Sequence, residues 1–304
     1  MNRIYPLVSI VTPTYNQADY LAETIESVLA QDYPNIEYLV LDDGSTDATS
    51  DVLKAYGDRV RWERHENMGQ ARTVNKGWAS SRGEVIGYIN SDDVLLPGAV
   101  SCLVAALQSS DEAVVAYCDF DLIDASGRYL RTVYAEDFNL YRLAVDLICQ
   151  PGPGALFRRS AFDRSGGWRT HLQQVPDFDL WLRIANYGSF VRVPHVLAKY
   201  RVHASSASFR PISAARSMEV VHVVGAYWVT AGVAAGQCAS MATAYTHAAR
   251  SHLQSGRPGD ALNCVAVAVK LNWRIGFKVS FWRALLAGAV RRFSYTWGFG
   301  LDRG

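Results

Sequence analysis

Up to Asp93, apolar positions alternate between two periods. Leu7-Val8-Ser9-Ile10-Val11-Thr12-Pro13 is a β-rich run halted by proline, and Ala18 to Gln31 then carries Leu21, Ile25, Val28 and Leu29 at helical spacing. A second strand, Ile36 to Leu41, stops at Asp42-Asp43-Gly44-Ser45, where Thr46 or Asp47 caps a helix running to about Tyr56. Val60 to His65 alternates apolar and polar as a third strand. The spacing predicts a helix from about Gln70 to Ser80, after which Val85-Ile86-Gly87-Tyr88-Ile89 reads as a buried strand. Strands alternating with helices imply a parallel sheet covered on both faces.

Beyond a helix over Pro97 to Leu107 the pattern changes. Ala113 to Phe120 is a predicted strand, Asp124-Ala125-Ser126-Gly127 a hairpin turn and Tyr129 to Tyr134 its return, so the sheet is expected to become mixed. Gln150-Pro151-Gly152-Pro153-Gly154 and Gly166-Gly167-Trp168 are turn signals. Pro176-Asp177-Phe178-Asp179 opens a helix striped by Leu180, Trp181 and Ile184, and a strand from Phe190 to Tyr200 delivers Arg201-Val202-His203. From Ser213 the chain is alanine-rich and helical in pattern, with a helix pair over Tyr245–Leu253 and Asp260–Leu271. The last helix, from about Arg274 to Trp297, places Ile275, Val279, Trp282, Leu286, Ala289 and Phe293 on one stripe. The division expected is an α/β domain over 1–212 and a helical, basic region over 213–304.

With 304 residues, 49% of them hydrophobic and 12% aromatic, the chain has ample material for a core. A net charge of +1 argues against a dedicated nucleic-acid binder, so no nucleic acid is expected as a partner. The average conceals an asymmetry: after Glu219 there are nine basic side chains against Asp260 and Asp302 alone. The last helix holds five of those cations and no acid, and its stripe either lies on an anionic membrane surface or packs on the α/β domain. Five cysteines without a C-x-x-C pair indicate neither a zinc site nor a disulfide framework. A cytoplasmic protein is expected, peripheral at the inner face of the membrane if the last helix binds there.

Ligands on parallel sheets gather at the carboxyl ends of strands. Three predicted strand ends carry polar clusters, Thr14-Tyr15-Asn16, Asp42-Asp43-Gly44-Ser45 and Asn90-Ser91-Asp92-Asp93, and all three are expected to converge on one crevice. Hard carboxylate donors at the third cluster suit Mg²⁺ or Mn²⁺, completed by the oxygens of a diphosphate. An Asp-Asp pair read alone is more often a solvated loop with an Asp helix cap before Pro97.

Residues 7 to about 210 resemble the inverting, nucleotide-sugar-dependent glycosyltransferases of family 2, of the bacterial cell-surface polysaccharide type, with the GT-A fold. The resemblance rests on six stretches in the same order: Val8 to Asn16, Asp42-Asp43-Gly44-Ser45-Thr46-Asp47, Asn67 to Asn75, Asn90-Ser91-Asp92-Asp93, Asp177-Phe178-Asp179-Leu180-Trp181-Leu182-Arg183 and Tyr200-Arg201-Val202-His203. It implies a Rossmann-like, mainly parallel mixed sheet flanked by helices, with a C-terminal helical extension. It implies nucleotide binding by Pro13, Tyr15, Asp42, Asp43, Asn67, Arg72, Asn75, Asn90 and Ser91: Tyr15 flanks the base, Asp42 or Asp43 accepts the imide N–H of a uracil or thymine, and Asn67, Arg72 and Asn75 face the diphosphate. Asp92, assisted by Asp93, and His203 are the implied ligands of Mg²⁺ or Mn²⁺. Asp177 is the implied general base, with helix capping as its competing role and the more expected one for Asp179.

The implied partners are a nucleotide-diphosphate sugar, with a UDP-sugar favoured, and a glycan or lipid-linked acceptor. Two positions depart from the family pattern: Asn90 stands where many members have the first Asp of a D-x-D motif, and Pro176 where a Glu often precedes the base. These support an alternative reading, a degenerate member that binds nucleotide sugar or glycan without turnover. A nucleotidyltransferase would want a glycine-rich basic loop after the first strand, which Thr12 to Gln17 lacks. Trp168 and Trp181 are expected in the core, with stacking on the acceptor a second reading for Trp168. Cys118-Asp119-Phe120-Asp121 is placed on the acceptor side.

Overall fold

The computed structural model describes residues 5–203, 206, 211–232 and 236–297, with the backbone alone for 291–297. The predicted positions of Arg291, Arg292 and Phe293 side chains therefore lie outside what is described. The chain divides into two compact units, Met1–Phe138 with Gln150–Val202, and Asn139–Cys149 with His203–Gly304.

In the first unit β1 (Val8–Thr14), α1 (Ala18–Leu29), β2 (Ile36–Asp42), α2 (Thr49–Tyr56), β3 (Arg61–Arg64), α3 (Gln70–Ala79) and β4 (Val85–Tyr88) follow the alternation the apolar pattern predicts. Next come β5 (Val94–Leu95), α4 (Ala99–Gln108), β6 (Ala113–Ile123) and β7 (Tyr129–Val133). A short helix of the second unit, α5 (Leu140–Ala144), precedes β8 (Leu156–Arg158), α6 (Arg159–Ser165), α7 (Pro176–Ile184) and β9 (Ser189–Arg201). The strands β5 and β8 were not expected from the pattern. Two or three residues are too few to display a period, and both exist because longer neighbours supply their hydrogen bonds.

The strands form one nine-stranded sheet in the order β3-β2-β1-β4-β8-β6-β9-β5, with β7 paired to β6. Its first four strands are parallel, whereas β8 runs antiparallel to both β4 and β6, and β5 antiparallel to β9. The chain steps outward from β1 to β2 and β3, then returns to lay β4 on the other side of β1. That reversal opens a crevice beyond the carboxyl ends of β1 and β4. This curled, mostly parallel sheet with helices on its faces is the GT-A architecture the pattern and the resemblance anticipated.

On one face Val8, Ile10, Val40 and Val85 meet Leu21, Ile25 and Val28 of α1, with Leu53 and Leu103. On the other, Trp78 of α3 is the hub of an aromatic cluster with Tyr88, Phe157, Phe162 and Trp168. Close approach of α3 to β1 requires Gly77, because a Cβ there would stand 2.4 Å from Val11 Cγ1. Trp181 is also core, edge-on to Phe157.

The second unit comprises α5 with α8 (Ala214–Ser217), α9 (Glu219–Ala231), α10 (Gln237–Gln254), α11 (Pro258–Leu271) and α12 (Val279–Trp297). Its core joins Ala242, Ala268, Ile275 and Phe281. Small residues let these helices pack closely: a Cβ on Gly288 would lie 2.7 Å from the Arg250 carbonyl. The single helix expected from Arg274 is broken, since Trp273–Phe277 is a 3₁₀ turn and α12 begins only after extended Lys278. The expected stripe is split, with Ile275 packed in that core. Val279, Trp282 and Leu286 are exposed, and the helix is held instead through Phe281 and Gly288 on its opposite side.

Candidate active site

The site grows from three loops that leave the carboxyl ends of β1, β2 and β4. After β1, Tyr15 is exposed and Asn16 takes a left-handed backbone, φ 53°. From there the Asn16 side-chain oxygen accepts Thr46 N–H at 2.7 Å, while its own N–H donates to Ser45 Oγ at 2.9 Å. The first two loops are thus stitched together. Asp42 is fully buried at the end of β2, accepting from Ser45 N–H and Ser50 Oγ at 2.8 Å each, with Arg64 Nε 3.5 Å from Oδ2. Asp43 turns the other way, and its two oxygens accept Met68 N–H at 2.7 Å and Gly69 N–H at 3.0 Å. Ionised carboxylate oxygens have two lone-pair sites each, so both aspartates hold the loops and retain acceptor capacity.

Those contacts set the start of α3 behind Gly69. Arg72 and Asn67 are exposed there, whereas the Asn75 amide is taken up by the backbone of Trp168: its Nδ2 donates to the carbonyl at 2.7 Å and its Oδ1 accepts the N–H at 2.8 Å. Only glycine fits beside this bracket, since a Cβ on Gly167 would fall 2.3 Å from Asn75 Oδ1. The bracket seats Trp168 edge-on against Tyr88 at the end of β4, with ring centroids 4.9 Å apart. Trp168 is buried, which removes the reading that it stacks on an acceptor.

After β4 the four polar residues separate by environment. Asn90 Oδ1 accepts from Gln70 Nε2 at 2.9 Å, tying this loop to the first residue of α3, and Asn90 Nδ2 donates to Asp93 Oδ2 at 3.2 Å. Ser91 is buried, Asp92 half-buried and Asp93 buried. Asp93 Oδ1 accepts Arg201 N–H at 3.0 Å. Burial, with the Asp92 charge next to it, pushes the Asp93 carboxyl well above the usual carboxylate range. The β5–β9 pairing, Val94 opposite Lys199, brings Arg201 to this loop. Its buried guanidinium donates to Asp92 O at 3.0 Å and to the Asp124 and Ala125 carbonyls of the β6–β7 turn, pairs with Glu23 of α1 and covers the Tyr20 ring.

Asp177 begins α7, one residue after Pro176 at the helix start. Its Oδ1 accepts Phe178 N–H at 2.8 Å, and burial of the carboxylate raises its pKa. The start of α7 is tied toward the end of β4 through Arg169, adjacent to Trp168, whose Nη1 lies 3.0 Å from Asp179 Oδ1. Asp179 also takes two contacts from Arg183, which in turn donates to the Ser165, Gly166 and Gly167 carbonyls. Asp179 is therefore an ion-pair anchor, which leaves Asp177 as the carboxylate of that turn with no ion pair among the described residues.

Among the described residues, no three His, Cys, Asp or Glu side chains stand in a group able to hold a metal. Of the predicted ligands, Asp93 accepts from Asn90 Nδ2 and Arg201 N–H. His203 is buried in the second unit, its N–H on Ser206 Oγ at 3.3 Å. Asp92, half-buried beside these contacts, still fits an octahedral cation that keeps waters and takes diphosphate oxygens. Pro13 is buried within β1 opposite Leu41. The stretch Cys118 to Asp121 is structural: Asp119 is buried and held bidentately by Arg192 at 2.8 and 3.0 Å, and Asp121 accepts from Thr132.

Sequence reasoning placed Asn16 at the crevice without assigning it a role, and missed Gln70 and the role of Arg201.

Residues 9–166 match the model of the family described as glycosyl transferase family 2. The chain belongs to that family. An uncharacterized glycosyltransferase of Rickettsia prowazekii is 33% identical over 212 residues, 67% of this chain and 66% of the relative. The chain thus spans slightly less than two thirds of that relative's length. Among solved structures, residues 1–349 of Staphylococcus aureus TarS in complex with UDP-GlcNAc superpose with a TM-score of 0.65 at 16% identity, covering 96% of this chain and 92% of that one. The mannosyltransferase PcManGT of Pyrobaculum calidifontis, in complex with GDP-Man and Mn²⁺, gives 0.58 at 16% identity, covering 98% and 89%. At such identity these two establish the fold.

Proposed function

We propose that this family 2 member is an inverting glycosyltransferase that moves a sugar from a nucleoside-diphosphate donor, a UDP-sugar by preference, to a hydroxyl of a glycan or lipid-linked glycan in polysaccharide or glycoconjugate synthesis. The observation that carries the reading is the crevice at the β1/β4 reversal, where the Tyr15 and Asp42–Asp43 loops are hydrogen-bonded to each other and the Asp43 and Asn90 side chains both bond to the start of α3. The nucleotides bound by the TarS and PcManGT structures support it.

In this reading exposed Tyr15 flanks the base and Asp43 or Asp42 accepts the imide N–H with its remaining lone pairs. The start of α3, with Arg72 and Asn67, faces the diphosphate. Asn75 acts by seating Trp168 rather than through the nucleotide. Asp92 would hold Mg²⁺ or Mn²⁺, whose charge would offset that of the leaving diphosphate; the Mn²⁺ of the PcManGT complex supports the use of a divalent metal. Asp177 takes the proton of the acceptor hydroxyl as that oxygen attacks the anomeric carbon from the side opposite the departing nucleoside diphosphate, so one displacement inverts the centre. Burial supplies what an ordinary Asp lacks for this task, a pKa raised toward the working pH.

Calorimetric titration with UDP, GDP and dTDP, each with and without Mn²⁺, tests the donor site. Metal-dependent binding of one nucleotide, lost in Asp92→Ala, is expected. A folded protein that binds none would favour a degenerate member.

A further inference from the structure

The outer surface of the second unit carries an apolar face that its own core does not use. On α12 the inward positions Phe281, Leu285 and Gly288 lie on one side of the helix. Val279, Trp282, Leu286 and Val290 recur at intervals of three and four on the opposite side, each more than half exposed. Trp273 and Phe277 of the preceding 3₁₀ turn are exposed as well. A helix facing water would place charged residues there.

Cations are interleaved with these side chains. Lys270, Arg274, Lys278 and Arg283 are all exposed, and Arg274 lies over the Trp273 ring at 5.6 Å. No Asp or Glu occurs between Asp260 and Asp302. Among the described residues, no helix is long and apolar enough to cross a membrane. The composition is that of a helix lying in a lipid interface: bulky apolar and Trp side chains on one face, Lys and Arg along it, and no acid to repel anionic headgroups. A second copy of the chain is a poorer occupant, because a two-fold contact would set these same cations against one another.

We infer that this face, from Trp273 to Val290, docks on an anionic lipid bilayer surface without spanning it. Trp282, Leu286 and Phe277 enter the headgroup boundary, and Lys270, Arg274, Lys278 and Arg283 pair with lipid phosphates. The inference stands apart from the glycosyl-transfer reading, since none of these residues belongs to the crevice.

The test is flotation of the full chain with vesicles of phosphatidylcholine alone and of phosphatidylcholine with phosphatidylglycerol, across a salt series. Binding is expected to the anionic vesicles and to weaken with salt. The double variant Arg274→Glu, Lys278→Glu should lower partitioning by at least tenfold, at about fivefold for each cation removed. Trp282→Ser with Leu286→Ser should lower it at low salt too, with helix content by circular dichroism unchanged. Equal or absent binding to both vesicle types would overturn the inference. So would a dimer in light scattering that the Trp282 and Leu286 substitutions dissolve, which would assign the face to a second copy.

Discussion

Asp177 and Asp93 are both aspartates with raised pKa values, and their surroundings give them different work. Asp177 has one backbone N–H at its carboxylate, whereas Asp93 is enclosed by Asn90 and the Arg201 backbone. With no cation beside it among the described residues, Asp177 suits the role of base in the proposed reaction. Asp177→Asn should lower kcat by about 10²–10⁴-fold with donor affinity unchanged in calorimetry. Its raised pKa has a thermodynamic sign: the folded protein binds this proton more tightly than the unfolded chain does. The stabilising contribution is full below the ordinary carboxylate value and is lost as pH rises through the raised folded value. Asp177→Asn should therefore raise Tm at neutral pH, and the gain should vanish in acid. The acid limb of kcat/KM should likewise lie above the ordinary carboxylate range. Asn90 is fitted to its place as the donor to Asp93. Asn90→Asp would remove that donor and add a third carboxylate, so urea unfolding should show a loss of about 1–3 kcal/mol rather than a gain of function.

At the scale of elements, two short strands and one bracket decide where these residues stand. Pairing of β5 with β9 sets Arg201 under the Asn90–Asp93 loop, where its donors reach Asp92, the β6–β7 turn and α1 at once. A lysine keeps the charge but lacks the planar fork of five donors. Arg201→Lys should therefore weaken Mn²⁺-dependent nucleotide binding or activity by about 10–100-fold, as outer-shell changes do. Thermal unfolding should move less than for Arg201→Ala, which also leaves Glu23 without its partner. The Asn75–Trp168 bracket does the corresponding job for α7, by way of Arg169 and Asp179.

At the scale of the molecule, the two units are stabilised by different means. The first buries a sheet between helices and an aromatic cluster; the second has a helical core in which Ala242 and Ala268 meet Ile275 and Phe281. Phe281→Ala should cost about 3–5 kcal/mol, read as an earlier loss of helix signal on heating. By itself the sequence determined the alternation from β1 to β4, the hairpin after β6, the helical region beyond Ser213 and the clustering of Tyr15, Asp42–Asp43 and Asn90–Asp93 at strand ends. Those follow from periodicity and local turn chemistry, which a chain carries in neighbouring residues. Tertiary structure alone decided that Asp93 and Asn75 hold the scaffold, that Arg201 joins three elements, and which side of α12 faces inward. Asp93 and Arg201 stand 108 positions apart, Asn75 and Trp168 93 apart. A residue's type fixes which bonds it can make, and its folded neighbours fix which of them remain for a ligand.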